Sequence, residues 1–258
     1  MTQQEMNILV PQKLKELEQL HNMKVLYASE SGSRAWGFAS PDSDFDVRFI
    51  YVRPKDFYLK LEKTRDVIEI PIDDTWDVSG WDLQKTLRLL HSSNPSLFEW
   101  TASPLVYHNT DIWENKILPV LNTYFQPSKS LHHYLSMAER NTKDNLSGDT
   151  IKAKRYFYIL RPILAAKWVI NYQCPPPMLF EDLVEDQLEK NLKPLVDELI
   201  RIKREVPELA FIDRVPQLDN YIFSELRGLN DALHSFSGKT NKPWEPLNQL
   251  FSDILSSD

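Results

Sequence analysis

The sequence predicts an N-terminal domain of mixed strands and helices over residues 1–110 and an all-α C-terminal domain over residues 111–258. Short segments rich in β-branched and aromatic residues, the usual composition of strands, occur only in the first part of the chain. From about residue 110 onward, apolar residues recur with the 3.6-residue period of amphipathic helices. With 258 residues, of which 42% are hydrophobic, the chain is long enough to form two cores.

The N-terminal domain is predicted to begin with a helix over 11–21. Leu14, Leu17 and Leu20 lie at helical spacing there, and Pro11 is placed where a helix typically starts. Strands and one further helix follow in chain order. The strands are predicted at 24–29, 45–52, 66–71 and 74–79, and the helix at 81–93.

The C-terminal domain is predicted to consist of amphipathic helices. They cover 111–125, 130–146, 150–172, 185–206, 216–236 and 244–255. Three prolines at 175–177 end the third of these helices, because proline cannot continue a helix and restricts the residue before it.

Composition excludes several classes of protein. No run of 18 apolar residues is present, so no membrane-spanning helix is predicted, and the N-terminus does not resemble a secretory signal. A single cysteine, Cys174, excludes an internal disulfide framework, and a cytoplasmic location is expected. The net charge of −7 argues against general DNA or RNA coating, which needs a surplus of basic residues. A small phosphorylated substrate or one specific nucleic-acid end fits this charge better.

The segment most informative about function is ASESGSRAWGFASPDSDFDVRFIYV, residues 28–52. Asp44 and Asp46 open a strand and point to the same face, because side chains two residues apart share a face. Paired carboxylates suit Mg²⁺ or Mn²⁺ bridged to substrate phosphates. Gly32 allows the backbone to approach a phosphate closely, and Ser33 can donate its hydroxyl and N–H groups to one.

A Gly-Ser pair after a strand, followed about ten residues later by Asp-x-Asp, resembles the signature of DNA polymerase beta-like nucleotidyltransferases. Two segments, GSRAWGFASPDSDFDVRFIYV and DVSGWDLQKTLRLLHSSNPSLFEWTASPLVY, are more specifically similar to the RlaP-type family, which is associated with RNA repair. The resemblance covers residues 24–107 and continues in YFYILRPILAAKWV of the helical domain. It implies an α+β nucleotidyltransferase domain with a mixed sheet flanked by helices, and a third carboxylate on a neighbouring strand.

Asp77 is our choice for that third carboxylate. It stands near the end of a predicted strand, before a Ser79-Gly80 turn, from where it can reach across the sheet. Three nearby acids could also fill this role. Asp82 lies in a first helical turn, where capping explains an acid, while Asp73 and Asp74 are typical of turns. In the mechanism that the resemblance implies, Asp77 is a metal ligand together with Asp44 and Asp46, and is the general base.

Basic and aromatic residues are then needed for the triphosphate that the resemblance implies. Arg34 directly follows Ser33, and Lys85 lies on the helix after Asp77. The remaining candidates are spaced i, i+4 and i+7 on the main C-terminal helix and therefore share one side: Lys154, Tyr158 and Arg161.

The predicted function is metal-dependent transfer of a nucleoside monophosphate from a nucleoside triphosphate to a hydroxyl acceptor, such as an RNA end, with release of pyrophosphate. Mg²⁺ or Mn²⁺ is the expected cofactor, and neither general DNA binding nor membrane association is expected. The alternative is a catalytically silent nucleotide-binding regulator or toxin–antitoxin partner. The intact acid pair argues against that alternative.

Overall fold

The computed structural model describes residues 2–40, 43–70, 76–205, 211–236 and 242–256. The chain forms two compact units, each built from segments that are separate in sequence. Unit 1 comprises Met1–Gly32, Asp44–Tyr124 and Asn241–Asp258, and unit 2 comprises Ser33–Ser43 and Phe125–Thr240.

These units differ from the predicted division after residue 110. Residues 111–124 and 241–258 belong to unit 1 although their sequence pattern is helical, and residues 33–43 belong to unit 2 although they lie between two strands of the chain. Helical periodicity identifies a helix but not the core against which it packs. The boundaries of the units therefore depend on contacts that periodicity does not show.

The sheet of unit 1 has five strands among the described residues, in the order β3-β4-β2-β1-β5. Strand β2 pairs in parallel with β4, and the other pairs in this sheet are antiparallel. The predicted strand over 45–52 is confirmed. The strands are β1 (Lys24–Glu30), β2 (Phe45–Val52), β3 (Val67–Glu69), β4 (Trp76–Asp82) and β5 (Val106–Asn109).

Helix α1 (Gln3–His21) covers one face of this sheet. It starts at a capping box in which the Glu5 backbone N–H donates to the Thr2 hydroxyl and the Thr2 N–H donates to the Glu5 carboxylate. The predicted start at Pro11 is wrong: Pro11 lies inside the helix, because the capping box begins the helix earlier. The shared core includes Met6, Val10, Leu14 and Leu17 of the helix and Phe45, Val47, Phe49 and Tyr51 of β2.

Strand β4 is longer than predicted, and the predicted Ser79-Gly80 turn is wrong because both residues lie inside the strand. Gly80 pairs with Phe49 of β2, and a Cβ atom at Gly80 would lie 2.2 Å from the Phe49 ring. This glycine therefore permits close packing and does not mark a turn. Trp81, with which the predicted helix over 81–93 began, is in the strand as well.

Short helices complete unit 1. Helix α4 (Leu83–His91) follows β4 directly and contacts α6 (Leu118–Tyr124) and α12 (Glu245–Leu255). The others are the single turn α2 (Gly32–Ala35), which leads into unit 2, α3 (Lys55–Tyr58), α5 (Pro95–Thr101) and a π-helical turn at Trp113–Ile117.

Unit 2 is mainly helical, but the prediction of an all-α domain is wrong. Strands β6 (Thr150–Lys152) and β7 (Phe211–Asp213) form an antiparallel pair, and three residues are too few to show the alternation that identifies a strand. No described helix has the length and apolar character needed to cross a bilayer. The helices are α7 (Pro127–Asn145), α8 (Ala153–Tyr172), α9 (Phe180–Gln187), α10 (Lys193–Glu205) and α11 (Pro216–Ser235).

Candidate active site

Two carboxylates meet on the face of the sheet opposite to α1. Asp46 of β2 and Asp77 of β4 are directly paired in the parallel register, where strands lie about 4.8 Å apart. Phe45 and Val47, on either side of Asp46, are buried in the core with α1, as the alternation of the strand predicts. Asp44 lies one residue before β2. The structure thus brings Asp77 beside the Asp44–Asp46 pair.

Arg48 binds both carboxylates. Its Nη2 atom donates to Asp46 Oδ1 at 3.0 Å and to Asp77 Oδ2 at 2.7 Å, and its Nη1 atom donates to the Asp77 carbonyl at 2.8 Å. Our sequence reasoning missed this residue. The signal was its position two residues after Asp46, which places both side chains on one face of the strand.

Gly32 is required by the position of the Asp46 side chain. Its φ is +60°, in the left-handed region that favours glycine, and a Cβ atom there would lie 2.1 Å from Asp46 Oδ2. The neighbouring Ser31 N–H donates to the Asp46 carbonyl at 2.8 Å. The backbone of residues 31–32 therefore lies directly against Asp46, whereas the close approach of Gly32 to a phosphate stays a prediction.

Glu30, a second residue that the sequence analysis did not identify, binds the backbone of Asp46. Its Oε1 atom accepts the Asp46 N–H at 2.7 Å, and its Oε2 atom accepts the Tyr107 hydroxyl. Glu30 is fully buried at the end of β1. An acid that closes an otherwise apolar strand, KVLYASE, was the available signal.

Burial raises the pKa of Asp46 above its usual value. Arg48 lowers the same pKa, whereas the charges of Asp77 and Asp44 and a hydrogen bond with Asp77 raise it. The net direction is upward, so one guanidinium does not fully offset burial and two neighbouring carboxylates. The site therefore favours an additional positive charge.

The donor chemistry fits a hard divalent cation. Carboxylate oxygens of Asp46 and Asp77 both lie within 3.0 Å of one nitrogen of Arg48, so they converge on a common point. Within the described ranges, no three His, Cys, Asp or Glu side chains form a ready metal cluster. Mg²⁺ characteristically binds through one or two carboxylates and completes its shell with phosphate and water oxygens.

Asp82, which the sequence also allowed as the third carboxylate, caps helix α4. Its Oδ1 atom accepts the Gln84 N–H at 2.8 Å, and its Oδ2 atom accepts the Tyr58 hydroxyl at 3.0 Å. Burial raises the pKa of Asp82. Both carboxylate oxygens of Asp82 therefore accept hydrogen bonds from neighbouring residues of the fold, Gln84 and Tyr58. Asp73 and Asp74, the two acids expected in a turn, lie outside the described residues.

The predicted phosphate ligands around Ser33 form a local loop structure in unit 2. The Ser33 carbonyl accepts the Phe38 N–H at 3.2 Å, and Arg34 Nη2 donates to the Ser43 carbonyl at 2.6 Å. In unit 1, Lys85 pairs with Asp66 across 3.3 Å. As nucleotide ligands, Ser33, Arg34 and Lys85 stay predictions.

Two of the three candidates on α8 meet at Trp36. The Arg161 guanidinium lies 4.6 Å from the centre of the Trp36 ring, and the Tyr158 ring contacts Trp36 edge-on at 5.8 Å. Arg161 is only 2% exposed, whereas Lys154 at the start of the helix is half-buried. Trp36 thus packs against α8 within unit 2, and the nucleotide-binding role of the α8 residues stays a prediction.

A cavity of about 670 Å³ lies in unit 1 beside the acidic pair. Asp77 and Arg48 line it together with two tryptophans, Trp81 and Trp100, whose rings stack at 3.6 Å. The remaining lining residues are Arg65, Glu69, Ile70 and Ser79.

The protein-family model RlaP, described as the RNA repair pathway DNA polymerase beta family, matches residues 6–253. An uncharacterized protein of Bacillus subtilis (strain 168), YcgL, is 43% identical over 244 residues, 94% of each chain. A crystal structure of a nucleotidyltransferase-like protein from Exiguobacterium sibiricum 255-15 is 14% identical and covers 83% of this chain and 69% of that one. Its TM-score of 0.30 is too low to define a shared fold.

Proposed function

The chain belongs to the RlaP family, the RNA repair pathway DNA polymerase beta family, and we propose on this premise that it is a metal-dependent nucleotidyltransferase. The proposed reaction transfers a nucleoside monophosphate from a nucleoside triphosphate to a hydroxyl acceptor and releases pyrophosphate. The observation that supports it best is the pairing of Asp46 with Asp77 on adjacent parallel strands, with Gly32 packed against the Asp46 carboxylate.

In this proposal Asp46 and Asp77 hold the divalent cation, and Asp44 contributes from its position just before β2. Bound Mg²⁺ or Mn²⁺ supplies positive charge that stabilises the triphosphate and the departing pyrophosphate. Asp77 accepts the proton of the acceptor hydroxyl. The acceptor oxygen then bonds to the α-phosphorus while the bond from that phosphorus to the bridging oxygen of pyrophosphate breaks.

Arg48 provides the counter-charge of the acid pair before a cation binds. Its guanidinium contacts both carboxylates, and both carboxylates are only partly exposed, at 29% and 35%. Binding a cation to the same oxygens requires Arg48 to release at least one of them. Arg48 can then bind a phosphate oxygen instead, since guanidinium groups pair well with phosphate.

An RNA end is the proposed acceptor. The description of the family names an RNA repair pathway, and an RNA end carries both the hydroxyl and the neighbouring phosphates that such a transfer needs. The net charge of −7 opposes extended, sequence-independent contacts to nucleic acid. Recognition of one end requires far fewer phosphate contacts.

Pyrophosphate release tests the proposal directly. The purified protein is incubated with Mg²⁺ and each of the four ribonucleoside triphosphates, with and without total RNA, and pyrophosphate is measured. Asp77→Asn should lower turnover at least about 100-fold, as expected for loss of a general base. The matched variant Asp82→Asn should keep turnover and lose at most about 1 kcal/mol of stability, because asparagine still caps helix α4 but lacks the negative charge that favours a helix start. Equal turnover in both variants would contradict the assignment.

A second candidate function is nucleotide binding without turnover, and the position of Arg48 favours it specifically. A guanidinium that stays between Asp46 and Asp77 would keep the cation out. Under this alternative, calorimetry shows triphosphate binding that does not depend on Mg²⁺, and no pyrophosphate appears with any nucleotide. Cation-dependent binding that is lost in the Asp44→Asn, Asp46→Asn double variant supports the enzyme instead.

A further inference from the structure

We propose that the cavity beside Asp77 binds the acceptor, and that the terminal nucleoside of a single-stranded RNA stacks on Trp81 there. The inference rests on the proposed function, because it identifies the side of Asp77 from which the acceptor hydroxyl arrives. It goes further in naming the aromatic surface and the cation that recognise the acceptor.

A row of side chains on β4 connects the acid pair to the tryptophans. Asp77, Ser79 and Trp81 are two residues apart, so they share one face of the strand, and all three line the cavity. A strand rise of about 3.3 Å per residue separates the Cα atoms of Asp77 and Trp81 by roughly 13 Å. One nucleotide unit with its base can bridge this length, with the base at Trp81 and the terminal hydroxyl toward Asp77.

Contacts with β1 fix the position of Trp100, on which Trp81 stacks. Trp81 stacks on Trp100 with an interplanar angle of 25°, and the Trp100 carbonyl accepts the Ser29 hydroxyl at 2.8 Å and the Tyr27 hydroxyl at 3.1 Å. Trp100 is 6% exposed, whereas Trp81 is only partly buried. One face of Trp81 thus rests on a fixed partner, and both rings contribute to the cavity wall. A fixed aromatic surface binds bases of any sequence through their π-faces.

Two arginines supply the positive charge for the phosphates of the acceptor. Arg48 lies at the Asp77 end of the cavity, and Arg65 lies on its lining with a largely exposed side chain that pairs with Glu69. An exposed ion pair of this kind contributes little to stability. Arg65 can therefore exchange Glu69 for a phosphate at small cost, which suits a ligand that combines a base with phosphates.

Binding of RNA without any nucleoside triphosphate isolates this step. The probe is a fluorescein-labelled single-stranded RNA octamer with a free 3′ hydroxyl, and its affinity is measured by anisotropy in Mg²⁺. Trp81→Ala should weaken binding roughly 5- to 140-fold, the equivalent of about 1–3 kcal/mol for one stacked base. Trp81→Phe, which retains a ring, should restore most of the affinity.

The matched control is Trp244→Ala. Trp244 also stacks on an aromatic partner in unit 1, His91 at 3.5 Å, but it does not line this cavity. This variant should bind the octamer like the unmodified protein. Arg65→Ala, a change of an exposed side chain, should lower the slope of log affinity against log salt by about 0.7, the value for one phosphate contact on a single strand.

Affinity for a nucleoside triphosphate, measured by calorimetry on the same variants, separates the outcomes. Weaker octamer binding with unchanged triphosphate binding supports the inference. If Trp81→Ala loses triphosphate binding and keeps octamer binding, the cavity binds the nucleoside triphosphate and the inference is wrong. Equal octamer affinity in Trp81→Ala and Trp244→Ala also overturns the inference. Competition by a free nucleoside monophosphate as strong as that by the octamer also overturns it in favour of a small-molecule acceptor. If no pyrophosphate is released under any condition, the proposed function is wrong. The octamer affinities of the Trp81 and Trp244 variants then still decide whether RNA binds at Trp81.

Discussion

Replacing Gly32 by alanine tests the geometry of the acidic site more sharply than replacing an acid, because it leaves every charge in place. Gly32 has a φ of +60°, and an added Cβ atom would lie 2.1 Å from Asp46 Oδ2 and 3.0 Å from its Cγ. Contacts this short cannot persist, so the Asp46 carboxylate must move. We therefore expect Gly32→Ala to lose cation-dependent nucleotide binding without a change in net charge.

The cost in stability follows from two effects. A residue with a Cβ atom in the left-handed region costs roughly 1–2 kcal/mol. Displacing the Asp46 carboxylate breaks its charge-assisted hydrogen bond with Arg48, which costs about 1.5–3 kcal/mol. Together these effects predict a decrease of about 2.5–5 kcal/mol in the free energy of unfolding.

Urea denaturation measures the stability, and a thermal shift with Mg²⁺ and a nucleoside triphosphate measures binding. Gly228→Ala is the control, because Gly228 lies inside helix α11 and an added Cβ atom there would have nothing within 4 Å. That control should gain roughly 0.5–1 kcal/mol, the usual advantage of alanine over glycine in a helix. If Gly32→Ala unfolds within about 0.5 kcal/mol of the unmodified protein, as a neutral surface substitution does, and keeps the thermal shift, the geometric reasoning is wrong.

Three further predictions concern charged residues. Burial raises the pKa of Asp46 in the folded state, so its contribution to stability is present at low pH and decreases as pH rises through that pKa. Asp46→Asn should therefore unfold as the unmodified protein does near pH 3 and be more stable than it at pH 7, by urea denaturation at both pH values. Arg48→Met should lose about 1.5–3 kcal/mol in EDTA and recover it in Mn²⁺, and an unchanged melting temperature in EDTA would refute its role as counter-charge. Arg161→Ala should lower the melting temperature, because its buried guanidinium covers Trp36, whereas Lys154→Ala should weaken triphosphate binding about 10- to 140-fold in calorimetry.

The sequence was most informative where one strand carries both core and site. In FDVRFIYV the alternation assigns Phe45 and Val47 to the core and Asp46 to the opposite face, and the structure agrees. The same alternation also places Arg48 beside Asp46, but an arginine on a strand face is so common that only the distances to two carboxylates distinguish it. The alternation thus predicts the face of the strand on which Arg48 lies, whereas only the structure shows that Arg48 binds Asp46 and Asp77.

Features that depend on contacts between distant segments were not predictable in this way. Gly80 looked like a turn residue because the ring of Phe49, which fills its Cβ position, comes from another strand. Strands β6 and β7 are three residues each and about 60 positions apart, so neither shows a period of its own. Residues 33–43 lie between two strands of the sheet in sequence, yet Trp36 and Phe38 pack with aromatic residues of unit 2 such as Tyr158.

The register of the sheet explains why the proposed cation would stabilise the acidic site. Parallel pairing of β2 with β4 fixes Asp46 opposite Asp77, so the backbones of these two residues cannot separate without disrupting seven consecutive residue pairs. Burial makes the charge of Asp46 more costly, and Arg48, two residues further along the same strand, offsets only part of that cost because the pKa of Asp46 remains raised. A ligand that brings more positive charge to the same oxygens stabilises the folded state by mass action, about 2.7 kcal/mol at a concentration about one hundred times its dissociation constant. The Asp46 charge therefore costs stability while no ligand is bound, and the cation of the proposed function would offset that cost when it binds.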